Sequence, residues 1–417
     1  MEWRGAMTSR LIAICALLTS CVALGQVEKP SGIKIGDGRL HPYFDLEGRY
    51  DSAVGYFGNP ATLQGDIAVR FRPGLKFELL GTDNVVNFNG NAEYVLYTGA
   101  FNAGTRDASR FQTDVGIDAA FNKTGAIEFQ IGDQLVRSDR NNNPVFTVGV
   151  LSLYNNVRIA VPIHPGGGAL EFAPKVSWAV EFFEPLIRAS LPSCPANQPA
   201  CQPLLASSMN YSNLNAGLSA RWRFLPKTAI VFDGGVDYRT YFNTVGRPAT
   251  LMKLQAGLAG LISSKLSVLL LAGYGRDFIG TNGASTFIAQ AELGVLLSEA
   301  TTFKFGYVRT LQPVPLYGVY GDDRGYIEAK FGISRFSLLG SAAFDFLTFY
   351  GDPNNPLTPD RKEAIFTLSV SPAVSIFSWF SIGLAYNLNL RLPTTTNPLP
   401  GSQFTRHEVI LRFSFSY

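Results

Sequence analysis

The sequence predicts an all-β fold, a transmembrane antiparallel up-and-down β-barrel of about 18 strands. Three observations predict it. The chain is a succession of segments in which apolar and polar residues alternate, as in strands with one apolar and one polar face. The connections between these segments are short and long in turn. The final segment, 408–417, is itself an alternating strand whose open edge needs a neighbour, which a closed barrel provides.

Composition removes two other classes of protein. Of the 417 residues 16% are charged, and 35 Lys and Arg against 32 Asp and Glu leave a net charge of +3. A nucleic-acid-binding protein would carry a basic surplus to neutralise phosphates. After the first 25 residues, no uninterrupted apolar run reaches the ~20 residues of a membrane helix. We therefore expect neither a nucleic-acid partner nor a helical membrane span.

The N-terminus predicts export. An apolar run at 11–18 follows a basic residue, and Ala23 and Gly25 supply the small residues of a cleavage site. Residues 1–25 are therefore expected to be a secretory signal peptide. The sequence just before Cys21 also resembles a lipobox, which would leave that cysteine lipidated, and the sequence leaves this alternative open.

Two cysteines remain after export. Cys194 and Cys201 lie in one Pro-rich loop, and in an oxidising compartment such a pair is expected to form a disulfide. Two free thiols or half of a metal site are the alternatives. The metal site is disfavoured because the three histidines lie far apart in the sequence and none neighbours the cysteines, at His41, His164 and His407.

Residues 26–39 read as a periplasmic lead-in, and 40–417 as the barrel. The clearest strand is 62–80, where Ile67, Phe71 and Leu75 share one face. Sixteen or 20 strands remain possible, but the predicted segments are 40–55, 62–80, 84–98, 109–122, 126–137, 147–162, 169–183, 209–224, 228–242, 250–262, 266–278, 286–298, 302–311, 323–334, 336–349, 361–376, 379–392 and 404–417.

Loop length separates the two ends of this barrel. Every second connection is tight, as at 225–227 and 377–378, whereas most of the others are long, as at 184–208 and 350–360. Short periplasmic turns and long extracellular loops are typical of outer-membrane barrels, and both termini then lie on the periplasmic side. A soluble β-sandwich, the alternative for an isolated alternating strand, has no reason to segregate loop length. Aromatic pairs near segment ends, such as Tyr94 and Tyr97, suit interfacial girdles.

The charged residues on these strands predict a wet lumen, since charges at every second residue cannot face a dry core unpaired. Both signs occur, which argues against strong ion selectivity, and added asparagines suit hydroxyl-rich solutes such as sugars. Pairing of the charges across strands is the structural alternative. Residues 184–208 are a candidate plug. The predicted pore-lining residues are Asp45, Glu47, Arg49, Asp66, Arg70, Arg72, Lys76, Glu78, Asn87, Asn89, Asn91, Glu93, Asp114, Asp118, Arg221, Arg223, Asp233, Asp237, Arg239 and Arg412.

The sequence offers little for chemistry, and we expect no enzymatic activity, metal or cofactor. His407 is the best candidate for a base, and Ser402 is near it in sequence, but nothing orients a triad around them. One residue opposes the barrel pattern, because Asp133 falls on the predicted lipid face unless a β-bulge shifts it. The segment 266–273 is apolar on both faces.

The last strand resembles the C-terminal signal that the barrel-assembly machinery reads. Its apolar row also faces lipid in the predicted barrel, and Glu408 and Arg412 face the lumen. Tyr in place of the commoner terminal Phe is a small departure. The signal residues are Val409, Leu411, Phe413, Phe415 and Tyr417.

Two motifs carry a resemblance to a known family. The stretch from Leu40, with His41-Pro42 and Tyr50-Asp51, begins the first strand, and Pro73-Gly74-Leu75 lies in the second. In these the chain resembles the β-barrel porin 2 family, over 40–417. Its myxobacterial members are outer-membrane porins of Wzx/Wzy-type polysaccharide export.

The resemblance implies an integral outer-membrane protein that provides the exit pathway for a secreted polysaccharide. It implies a periplasmic polysaccharide export protein as partner, beside outer-membrane lipid and the barrel-assembly machinery. The alternative is a general or sugar-uptake diffusion porin, which the alternation and the mixed lumen fit equally well.

Overall fold

The structure is a computed structural model that describes residues 32–54, 65–139, 150–185, 206–242, 247–279, 284–314, 318–350, 360–393 and 403–417. The predicted signal peptide 1–25 with Cys21, the pair Cys194 and Cys201, and Ser402 lie outside these residues, as does most of the predicted plug. None of the helices within the described ranges is long and apolar enough to cross a membrane.

The fold is all-β, and the described connections contain three short 3-10 helices, at Ala103–Ala108, Pro165–Gly167 and Ala206–Met209. The strands are β1 (Ile33–Ile35), β2 (Gly38–Asp51), β3 (Asp66–Leu80), β4 (Val85–Tyr97), β5 (Arg110–Phe121), β6 (Phe129–Ser138), β7 (Val150–Ala160), β8 (Leu170–Pro185), β9 (Tyr211–Leu225), β10 (Thr228–Tyr241), β11 (Ala249–Ser263), β12 (Leu266–Asp277), β13 (Ser285–Leu296), β14 (Thr302–Val314), β15 (Gly318–Ile333), β16 (Phe336–Phe349), β17 (Arg361–Phe377), β18 (Phe380–Pro393) and β19 (Phe404–Ser416).

The sheet closes on itself. From β2 to β19 each strand pairs antiparallel with the next, and β19 pairs with β2 from Glu408–Asp51 to Ser416–Tyr43. This confirms the predicted antiparallel barrel of 18 strands. The extra strand β1 pairs with the first three residues of β2, so part of the predicted lead-in is strand.

The alternation of each strand builds two continuous faces. Directly opposed residues share a face, and Asp45 lies opposite Arg72 while Glu47 lies opposite both Arg70 and Arg412. On the other face large apolar side chains are exposed around the barrel, such as Phe71. The outer face is therefore apolar and the inner face polar, as hydrocarbon outside and water inside require.

The connections are segregated, with one correction. Four turns at one end have two residues each, 226–227, 264–265, 334–335 and 378–379, and the opposite end includes the connection between β8 and β9. We call these the periplasmic and extracellular ends. The predicted segments leave a long loop at 312–322, and this prediction was wrong. The ladder of β14 and β15 continues to the Val314–Gly318 pair.

The aromatic girdles are only partly as predicted. Tyr94 and Trp379 lie exposed on the outer face, but Tyr97, Phe183 and Phe349 point inwards and are at most 2% exposed. The physical reason is the period of two: an aromatic at the opposite parity from a girdle residue on the same strand faces the interior.

Candidate functional site

The ladder places all twenty predicted pore-lining residues on the inner face of the barrel. Their exposure depends on height. Near the periplasmic end Lys76, Glu78 and Asn87 are exposed to solvent. Near the extracellular end Glu47 and Arg49 are at most 2% exposed, because neighbouring inward side chains cover them. The interior is therefore open to solvent in its periplasmic half and packed with side chains in its extracellular half.

A network of ion pairs occupies the inner wall where the barrel closes. Arg412 lies 2.6 Å from Glu47, across the seam between β19 and β2. Arg72 reaches Asp45 at 2.7 Å, and Arg70 extends the network onto β4 by its contact with Glu93 at 2.9 Å. Since these charges neutralise one another, they stabilise the wall and add little to ion selectivity.

Asp66 holds an extracellular connection in place. Its carboxylate accepts hydrogen bonds from the backbone N–H groups of Gly99 and Ala100, at 2.7 and 2.9 Å, and from the hydroxyl of Thr105. The carboxylate therefore pins the β4–β5 connection, with its 3-10 helix, to the start of β3. Although the ladder places this residue on the inner face, its carboxylate is occupied by the loop.

The wall from β8 to β10 carries a second set of paired groups. Lys175 lies 2.6 Å from Asp233, whose carboxylate also accepts a hydrogen bond from Ser219. Asn215 donates to Asp237 at 2.7 Å. Here too a base and an acid are paired, from β8 across β9 to β10, and the second carboxylate is bonded by a neutral amide on the neighbouring strand.

The wall from β16 to β18 is different, because it is polar and largely uncharged at mid-height. Ser341 lies opposite Ser369, which in turn lies opposite Asn387, and Thr367 lies opposite Asn389. Ser369 donates a hydrogen bond to the side-chain oxygen of Asn387, at 2.8 Å. We call these five residues the neutral stripe. Sequence reasoning found its asparagines and missed its hydroxyls, although the same alternation marks Ser341, Thr367 and Ser369 as inward.

At the extracellular end the wall overlaps itself. Pairing between β13 and β14 stops at Ala289–Arg309, but β14 runs on to Val314. The distal parts of β14 and β15 fold inwards, and Leu311 and Val319 pack against Ala249 and Leu251 on the inner face of β11. We call residues 310–314 and 318–322 the inturned hairpin. The face of the hairpin that continues the outward row of β14 and β15 is thus buried inside the barrel.

A polar contact fastens the inturned hairpin to β10, four strands away along the wall. Arg239 of β10 donates from Nη1 to the carbonyl oxygen of Pro313 in β14, at 3.3 Å. The two strands are four positions apart, about 19 Å along the wall at ~4.8 Å per strand. One side chain can bridge them only because β14 leaves the wall. The guanidinium also lies 4.0 Å from the ring centre of Tyr211.

The other face of the hairpin continues into a second apolar cluster. Val314 and Tyr320 pack with Leu347, Phe349 and Ile365 on the inner face of β16 and β17. Tyr320 and Phe349 are stacked, with ring centres 5.4 Å apart. Apolar packing on both faces of the hairpin narrows the extracellular mouth of the lumen.

The remaining predicted residues lie on the outer face. The alternating row of β19 is directed outwards, and Phe415 packs against Phe380 with ring centres 4.9 Å apart and against Phe44 of β2. His407 is also outward, and its Nδ1 forms a hydrogen bond with the hydroxyl of Tyr386, at 3.0 Å. In the parts of the chain that the structure describes, no group of three or more His, Cys, Asp and Glu residues could hold a metal ion.

Comparison with known proteins gives similarity to outer-membrane barrels. No protein-family model and no curated protein matches the chain. OccAB4 of Acinetobacter baumannii is 11% identical over 91% of this chain and 98% of its own, with a TM-score of 0.48. OpdK, an outer-membrane protein of Pseudomonas aeruginosa, is 12% identical over 91% and 99%, with a TM-score of 0.46. OccAB3 of A. baumannii is 10% identical over 92% and 100%, with a TM-score of 0.45.

Identities and TM-scores this low assign neither a family nor a solute. The class of protein is therefore inferred from the chain's own geometry. It has a closed ladder, an apolar outer face and a polar inner face, with short turns at one end. Only closed barrels and helices satisfy every backbone hydrogen bond in a membrane. The chain is therefore a transmembrane β-barrel of the outer-membrane type, and this geometry places it in a bacterial outer membrane.

Proposed function

We propose that the chain is a channel through which small hydrophilic solutes, sugars among them, diffuse across the outer membrane. The observation that carries the proposal is the inner face of the closed barrel. Its charges are matched in pairs, and the neutral stripe on β16–β18 offers hydroxyl and amide groups. A neutral, hydroxyl-rich solute would find hydrogen-bond partners along this wall and no dominant charge of either sign.

The inturned hairpin supports a size limit. A barrel of 16–18 strands is wide enough for an aqueous channel. Here Leu311 and Val319 on one face of the hairpin, and Val314 and Tyr320 on the other, are at most 7% exposed at the extracellular end. This packing narrows the solute path at the extracellular end, so small solutes are favoured over polymers.

Liposome swelling tests this proposal. The purified barrel is reconstituted into liposomes, which are then diluted into isotonic neutral sugars from monosaccharide to tetrasaccharide. We expect the swelling rate to fall steeply with sugar size. A swelling rate with the monosaccharide equal to that of protein-free liposomes would contradict the proposal.

The packed mouth also favours a second candidate, the exit pathway for a secreted polysaccharide that the family resemblance implies. An exit that opens only when a periplasmic export protein engages the barrel would be closed in isolation. Deletion of the gene separates the two functions. Loss of surface polysaccharide with normal sugar uptake would support export, and unchanged surface polysaccharide would exclude it.

Neither candidate function includes a catalytic step, a metal or a cofactor. The ring of His407 lies on the outer face with Tyr386 as its partner. We propose that this pair is structural, and that His407→Ala leaves swelling rates unchanged.

A further inference from the structure

A carboxyl group lies on the lipid-facing surface near the middle of the membrane. Asp133 is opposite Ile117 on β5 and Val157 on β7, both outward residues. The register of the three strands runs without a shift past this position, so no β-bulge turns the carboxyl inwards. The predicted conflict with the barrel pattern is therefore a real feature of the outer face.

The depth of Asp133 follows from its strand. It is four residues from Phe129, whose ring stacks on Phe121 at 6.4 Å in the periplasmic girdle. At ~3.3 Å per residue and a tilt of about 40°, the carboxyl is about 10 Å above that girdle, within an apolar band ~25 Å tall. Other outward charged side chains of the described strands lie closer to the extracellular end, at Arg137, Glu184, Arg276, Arg309, Asp323 and Lys362.

Among the described residues of its own barrel, Asp133 has one side-chain partner. Asn155 of β7 donates from Nδ2 to Oδ1 of Asp133 at 2.9 Å, and the same nitrogen is 3.4 Å from the carbonyl oxygen of Gln134. Both side chains are half-buried. A carboxyl group with a single amide donor is costly in hydrocarbon, where water supplies no further bonds. The pair would be better accommodated against a polar surface than against lipid.

We propose that this face, on β5 to β7, is an interface with a second copy of the same chain. Two copies related by an axis along the membrane normal keep every residue at its own depth. Such an axis can bring Asn155 of one copy opposite Asp133 of the other. The long contact to Gln134 can then be exchanged for a bond to the second carboxyl. The side chains around the pair are apolar, at Ile117, Leu135 and Val157. Polar complementarity between the two copies is therefore confined to Asp133 and Asn155.

Disulfide cross-linking tests the interface in native membranes. In a full-length background with Cys194→Ser and Cys201→Ser, Val157→Cys should give a species of twice the barrel's mass on oxidation. The matched control is Leu384→Cys, which is exposed on the outer face of β18, and it should give none. Equal cross-linking of both variants, or cross-linking of Val157→Cys to a different protein, would overturn the proposal.

The mass of the purified barrel gives an independent test. We expect the wild type in mild detergent to contain two or more copies, and Asp133→Leu and Asn155→Leu each to yield a monomer. Both variants should remain folded, since leucine suits a lipid-facing site. A monomeric wild type, or an assembly that persists in Asp133→Leu, would show that the interface is not there.

Discussion

Leu311→Ala is expected to open the extracellular mouth. The Leu311 side chain is 0% exposed and packs against Leu251, which is also 0% exposed, so the substitution leaves a cavity between the inturned hairpin and β11. Burial of this kind is worth about 2–5 kcal/mol per Leu→Ala. At 1.36 kcal/mol for each factor of ten, the undocked population rises about 30-fold to several thousand-fold.

The lost packing energy weakens the docking of the hairpin and leaves the stability of the barrel unchanged. The ladders that close the barrel do not include this contact, and the hairpin keeps its own pairing from Thr302–Lys330 to Val314–Gly318. The variant should therefore insert and resist unfolding like the wild type, while the hairpin leaves the mouth more often.

Single-channel conductance in planar bilayers measures this effect. We expect Leu311→Ala to spend a larger fraction of time in a high-conductance state than the wild type. The matched control is Ile327→Ala on β15. It removes a similar apolar group, but the Ile327 side chain lies on the outer face and is 50% exposed. Wild-type conductance in a normally folded Leu311→Ala variant, or equal opening by Ile327→Ala, would show that docking of the hairpin does not close the mouth.

Three further predictions concern the wall. Glu363→Ala removes the carboxylate shared by the buried Arg361 and Arg391 and should cost about 3–5 kcal/mol in urea unfolding. Asp66→Ala loses hydrogen bonds worth about 1.5–3 kcal/mol each and should make the β4–β5 connection susceptible to trypsin. Deleting 415–417 removes the ring of Phe415 from its contact with Phe380 and should block assembly, measured as loss of heat-modifiable barrel in outer-membrane fractions.

The first two of these have a control within the chain. Glu328→Ala removes a more exposed carboxylate, 3.9 Å from Lys304, and should cost less than about 1 kcal/mol. Asp107→Ala changes an exposed residue of the same connection and should leave trypsin cleavage after Arg106 unchanged. Normal insertion of the truncated chain would show that the last strand is not an assembly signal.

Much of the barrel could be predicted because each strand separates two solvents. Alternation with a period of two gives both the strand and its orientation, so Asp45 and Arg72 could be placed on the inner face from sequence. The number of strands followed from the same pattern together with loop length. Strand bounds were also close, with the largest error at the start of β15.

The inturned hairpin could not be predicted, for a physical reason. Leu311 and Val319 are apolar residues at outward parity, so they resemble the lipid-facing row of any other strand. Whether such a residue meets lipid or the inner face of β11 depends on where pairing between β13 and β14 stops. That point is set by the three-dimensional path of the sheet. The burial of inward charges such as Glu47 could not be predicted either. Alternation predicts which face a side chain lies on, but not whether its neighbours cover it.

If the inner face of the barrel is the solute path, a bulky group attached to that face must slow the solute, and thiol modification measures this. Ser341 is inward and exposed, and its neighbour Ala342 is outward on the same strand. In a background without Cys194 and Cys201, each is replaced by Cys and labelled with a bulky, water-soluble thiol reagent before swelling in a monosaccharide. We expect labelling of Ser341→Cys to slow swelling severalfold and Ala342→Cys to keep its rate. An unchanged rate in fully labelled Ser341→Cys would show that solutes do not pass along the inner face.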